Sequence, residues 1–138
     1  MRWALAGFLA SVAALVQGCG GTDRVQSARE ALSSEVLADV PNWTKAEALP
    51  PSAVPGAKLY ATAGCTNCHR YLGAGSTNLG APDLTAIGSR HLGIDYQVRH
   101  LRCPSCVKRG SPMPNFGSLG AKRLRRLAIF LEASKGRR

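Results

Sequence analysis

The chain has 138 residues, 45% of them hydrophobic, enough for one small domain with accessory segments and too few for two ordinary domains. Its 18 Lys and Arg against 8 Asp and Glu leave a formal net charge of +10, which excludes an acidic disordered chain. Five Cys, three His and two Met, one of them the initiator, are the whole supply of side chains for thiol or soft-metal chemistry.

In chain order, Arg2 precedes an apolar run from Trp3 to Val16, about 14 residues, shorter than the roughly 20 that a membrane-spanning helix needs. The run reads as the core of a signal peptide over residues 1–18. Val16-Gln17-Gly18-Cys19 resembles a bacterial lipoprotein cleavage box, so Cys19 is expected to be lipidated and to become the mature N-terminus. An uncleaved signal anchor and an unmodified Cys19 stay open as alternatives. Lipidated or anchored, the chain is expected to be extracytoplasmic and membrane-attached, in an oxidising compartment.

Residues 19–54 read as a flexible tether behind that N-terminus. Pro41, Pro50, Pro51 and Pro55 rule out a continuous helix there. Before them Val25, Ala28, Leu32, Val36 and Val40 recur at three and four residues, a pattern that also fits one amphipathic helix from about Asp23 to Ala38. Trp43, the only aromatic of the stretch, is expected either to dock on the domain or to touch the membrane interface.

Charge divides the chain unevenly. Thr22 to Pro55 carries five acids and three bases, whereas from Gly56 onward 14 bases face only Asp83, Asp95 and Glu132, leaving +11. Such an excess speaks to partners and steering rather than to fold.

The densest chemistry lies in Gly64-Cys65-Thr66-Asn67-Cys68-His69. Two Cys separated by two residues and followed at once by His form the c-type haem attachment signature. The spacing lets two sulfurs reach the two vinyl groups of one haem c while the adjoining imidazole of His69 faces the iron. A Cys pair alone would suit zinc or thiol exchange equally. Met113, in Gly110-Ser111-Pro112-Met113-Pro114-Asn115-Phe116, is the sole methionine left for the second axial position. Flanking prolines stiffen its loop by fixing φ, and His/Met ligation suits electron shuttling.

From Pro55 to about Lys135 the chain resembles the class I cytochromes c, in particular the monohaem domains of respiratory complexes. Gly56-Ala57-Lys58-Leu59-Tyr60 resembles the family's first helix. Ala81-Pro82-Asp83-Leu84 is similar to its Gly-Pro-x-Leu segment, whose Pro carbonyl fixes the ligand His ring. Ile87-Gly88-Ser89-Arg90 resembles the stretch whose Arg meets a haem propionate, and Met113-Pro114-Asn115-Phe116 resembles the Met ligand loop. Ala121 to Ser134 reads as the C-terminal helix, with Leu124, Leu127, Ala128 and Leu131 on one face. The resemblance implies that this helix crosses the first, Gly56 or Ala57 against Phe130. It also implies cofactor contacts from Cys65, Cys68, His69, Met113, Pro82, Leu84 and Arg90.

Cys103 and Cys106, in Arg102-Cys103-Pro104-Ser105-Cys106, lack an adjacent His and so cannot be a second haem site of the same kind. A local disulfide beside the Met113 loop is the expectation. A redox-active or metal-binding pair and two unpaired thiols stay open. His91 and His100 are the other candidate iron ligands in place of Met113, but no flanking motif recommends them, and both are taken as surface or propionate-side residues.

The expected architecture is all-α: a small cytochrome c fold of three to five short helices around one covalently bound haem, over residues 55–138. The resemblance implies a one-electron carrier rather than an enzyme. Lys108, Arg109, Lys122, Arg123, Arg125 and Arg126 are expected to dock acidic redox partners or to meet anionic lipid, with no nucleic-acid role. Two other readings stay open: a fixed subunit of a quinol- or oxidase-type complex, and a haem enzyme or gas sensor with an open sixth site.

Overall fold

The computed structural model describes residues 34–137. The expected signal peptide, the expected lipidation site Cys19 and most of the possible Asp23–Ala38 helix lie outside them; of that helix, residues 34–38 are described, and they are helical. Five further α-helices follow: α1 Val40–Ala46, α2 Val54–Thr62, α3 Ile94–Arg102, α4 Pro104–Val107 and α5 Gly120–Ala133. Short 3-10 turns at Cys65–Asn67, Asn78–Gly80, Ile87–Arg90 and Gly117–Leu119 join them. The architecture is mostly helical, with several short helices, as the sequence reading expects. Among the described residues no helix is long and apolar enough to cross a membrane.

Helix α5 carries the clearest pattern in the chain. Leu124, Leu127, Ala128 and Leu131 are all buried along one stripe, and Phe130 joins them, while Lys122, Arg123, Arg125 and Arg126 stay exposed. Helix α2 crosses α5 at Gly56. A methyl group there would stand 2.6 Å from Phe130 Cβ and inside the contact distance of the Arg126 carbonyl, so only glycine permits this approach. Of the two small residues offered by the sequence, Gly56 makes the crossing.

One expectation is corrected here. The packed unit begins by Val40, not at Pro55, because Val40, Trp43, Leu49 and Ala53 are buried in the same core as α2 and α5. The prolines do not prevent this. Pro41 and Pro55 stand in the first turns of α1 and α2, where a missing N–H breaks no intrahelical bond. Trp43 docks on the domain: its ring lies 5.0 Å from that of Tyr71 and 6.0 Å from that of Tyr60, and both tyrosines pack on Phe130. Buried Glu47 adds a polar clasp. Its Oε2 accepts from the backbone N–H groups of Lys135 and Gly136, each at 2.9 Å, joining the N-terminal segment to the chain's far end.

A two-stranded hairpin, β1 Arg70–Tyr71 paired antiparallel with β2 Ala74–Gly75, has no counterpart in the helical reading. Leu72 and Gly73 both adopt positive φ, the geometry of a tight two-residue hairpin turn, and Thr85 Oγ1 accepts from the Leu72 N–H at 2.8 Å. The hairpin drives Tyr71 fully into the core, where its hydroxyl donates to Ser134 Oγ at 2.9 Å while that oxygen donates to the Phe130 carbonyl.

Candidate functional site

The segment after α2 folds back at Gly64 into the 3-10 turn Cys65–Asn67, with Cys68 N–H and His69 N–H both directed to the Cys65 carbonyl at 3.2 and 2.9 Å. This one turn sets Cys65, Cys68 and His69 on the wall of a single cavity of about 510 Å³. Gly75 makes room behind it: its φ is +86°, and a Cβ there would press on the carbonyl oxygens of His69 and Thr66, at 2.5 and 2.9 Å.

His69 is oriented from behind. Its Nδ1 lies 2.9 Å from the Pro82 carbonyl oxygen. A carbonyl can only accept, so Nδ1 bears the proton and Nε2 keeps a free lone pair for a metal. The Tyr60 hydroxyl, buried, donates to the His69 carbonyl at 3.3 Å and fixes the backbone of the same residue. Burial holds the Tyr60 phenol well above its usual range, in its neutral form.

Met113 reaches the same cavity from the loop between α4 and the Gly117–Leu119 turn, and Ser111 Oγ accepts from its N–H at 3.3 Å. Pro82, Leu84 and Arg90 also line it, so all seven residues singled out for cofactor contact face one space. Leu84 is half-buried and Arg90 exposed. The remaining wall is largely apolar, with Ile87, Leu92, Leu101, Phe116, Leu127 and Leu131 contributing to it.

The donor set fits haem c. The volume lies in the range of cofactor sites, and the wall offers two sulfurs, one imidazole with a free lone pair and one thioether. Burial pushes the Cys65 thiol up to about 12, so this position holds a neutral sulfur. A thioether, which carries no charge, suits it. Among the described residues no cluster of three or more His, Cys, Asp or Glu side chains is arranged to hold a metal ion.

Residues 53–101 match the cytochrome c family model. The match supports a c-type cytochrome, and a cytochrome c domain implies covalently bound haem c and suggests haem-based electron transfer. No curated protein and no solved structure matches the chain. The matched span takes in Cys65, Cys68, His69, Pro82, Leu84 and Arg90 and stops before Met113.

Of the two alternatives given for His100, surface or propionate side, the structure places it on the cavity wall. It is half-buried, lines the cavity and stacks on Tyr96 at 6.0 Å. Its Nδ1 is buried with no hydrogen-bond partner. Desolvation above all, with the Lys108 charge beside it, pushes its pKa down, so the ring is held neutral. His91 is exposed and outside the cavity wall. Sequence reasoning also missed Tyr96 and Gln97 as lining residues; with His100 and Leu101 they form an i, i+1, i+4, i+5 stripe on α3, a helical face that the pattern could have disclosed.

Cys103 and Cys106 form a disulfide, with Cα atoms 5.3 Å apart, at the junction of α3 and α4.

Proposed function

We propose that the protein is a one-electron carrier built on a single haem c, attached through Cys65 and Cys68 and ligated by His69 and Met113. The observation that carries this reading is the convergence of those four side chains on one cavity, with His69 Nδ1 committed to Pro82. When bound, the haem iron supplies the redox chemistry, alternating between ferrous and ferric states.

The chain's own residues do the rest. Two thioether links keep the cofactor through both oxidation states. The Pro82 carbonyl holds the His69 ring and raises the basicity of its free nitrogen. Met113 supplies a soft sulfur that favours the ferrous state and raises the potential over a second imidazole. The apolar wall excludes water, which further penalises the more highly charged ferric form. His69 and Met113 would together hold the haem iron and leave a substrate no ligand position, which suits passing electrons rather than transforming a molecule.

The reading extends to the chain's surroundings. A lipid on Cys19 would tether the domain to the outer side of a membrane, in a respiratory or related chain. Among the described residues the single ion pair is the exposed Asp95–Arg125 contact at 3.8 Å, so most of the basic side chains of α5 and Lys108 are left to face an acidic redox partner. That attraction steers encounter and weakens as salt is added.

An optical and redox titration of Met113→Ala against wild type tests the ligand set. Loss of the sulfur-to-iron absorption and a lower potential are expected. An unchanged spectrum and potential would remove Met113 from the site.

A further inference from the structure

The electron-carrier reading leaves Cys103 and Cys106 unused, and three observations bear on them. Their disulfide spans a sequence separation of only three. Chain entropy removed by a crosslink grows with the length of the loop it closes, so as a staple this ring gives little return. Cys106 is exposed and Cys103 half-buried, which makes Cys106 the more accessible of the two. The ring also stands between two stretches of the cavity wall: His100 and Leu101 come just before it, and Lys108, Ser111, Pro112 and Met113 just after. Phe116 N–H to Leu101 at 3.0 Å ties the two stretches together, while Cys103 N–H to the Arg99 carbonyl at 2.9 Å and Lys108 N–H to Pro104 at 2.8 Å close the helix ends on either side of the ring. A change of shape at the ring therefore passes directly into the segment that bears Met113.

We infer that Cys103–Cys106 is a reversible thiol–disulfide exchange site for a dithiol partner, and that its state sets how firmly the Met113 loop is held. The inference rests on the haem reading above for its effect on the iron. A thiolate of the partner attacks Cys106 Sγ; the Cys103–Cys106 bond breaks, and Cys103 leaves as a thiolate and takes a proton. The partner's second thiolate then attacks its own sulfur in the mixed disulfide, and Cys106 leaves and is protonated. Two electrons and two protons have passed to the pair, and the partner carries the new disulfide. Without the crosslink, the four residues of α4 and the loop after them are less constrained. Met113 is then held less firmly, and the balance of the iron moves toward the ferric state.

The test uses the haem-loaded full chain equilibrated with graded ratios of reduced to oxidised dithiothreitol, and separately with a reduced thioredoxin-type protein. Each sample is read twice, by alkylation mass for free thiols and by voltammetry for the haem. Two thiols should appear together and disappear on reoxidation. With them the reduction equilibrium should shift toward ferric by about tenfold, about 59 mV for one electron. Cys103→Ser/Cys106→Ser should sit permanently at the shifted value and ignore dithiol. If that variant does not accumulate, the wild-type titration decides alone. A pair that neither dithiol opens, or that opens with less than about a twofold change in the equilibrium, overturns the inference while leaving the haem reading intact. Absence of porphyrin mass overturns both and is seen before any dithiol is added.

Discussion

Gly56 on α2 meets Phe130 on α5 with no room between them for a single methyl group: a Cβ at Gly56 would lie 2.6 Å from that of Phe130. This contact sets how close the two helices come, and with them the cavity wall formed by Tyr60 on α2 and Leu127 and Leu131 on α5. The Arg126 carbonyl on the other side of the gap is backbone and cannot swing aside. Gly56→Ala should therefore destabilise the haem-loaded protein by about 1–3 kcal/mol, the usual cost of overpacking, although alanine is the better helix former. Denaturant unfolding of variant and wild type measures it; a stabilised variant would mean the helices can separate freely.

The segment Val40–Ala53 should behave as part of the domain. Trp43 is 2% exposed and touches two buried tyrosines, so Trp43→Ala should cost about 3–5 kcal/mol. Glu47→Ala leaves two partly buried backbone donors, at Lys135 and Gly136, without their acceptor, at about 1 kcal/mol or more. Glu47→Gln, which retains one carbonyl oxygen, should cost less. Equilibrium unfolding followed by far-ultraviolet circular dichroism and by haem absorbance checks the set, with wild-type stability in Trp43→Ala as the contrary result.

His100 should respond in the opposite sense to most half-buried residues. Its Nδ1 has no partner, so His100→Leu removes an uncompensated polar atom and should leave stability unchanged or raised near neutral pH. Acid should separate the two proteins further. Burial above all, with Lys108 beside it, lowers the folded-state pKa, so below the ordinary value of about 6.5 the unfolded chain binds the extra proton. The stability tied to a neutral His100 is complete above that pH and declines as pH falls toward the depressed folded value. Melting curves across this window should fall more steeply for wild type than for His100→Leu; parallel curves would count against the buried, neutral ring.

How much of this was legible in the sequence depended on the range of the physics. The Cys65–Cys68–His69 turn, the proline-flanked Met113 loop and the Leu124–Leu131 stripe are local spacings, and local spacing survives in a linear string. The burial of Glu47 depends on residues 135 and 136, and that of Trp43 on Tyr60 and Tyr71, contacts that no local pattern announces. Prolines misdirected the reading of residues 41–55, because a helix breaker in mid-helix is harmless in a first turn. The hairpin at Arg70–Gly75 was hidden by Leu72, a residue rarely found at positive φ. His100 is a surface candidate by type, and only the helical face it shares with Tyr96, Gln97 and Leu101 brings it to the cavity.

The central claim is a covalent porphyrin on Cys65 and Cys68. Intact-protein mass spectrometry of the full chain, matured in a host that assembles c-type cytochromes, tests it most directly. The account predicts the added mass of one haem per chain, retained after acid denaturation and abolished in Cys65→Ala/Cys68→Ala. A wild-type chain bearing no porphyrin, with two free thiols at those positions, would contradict it.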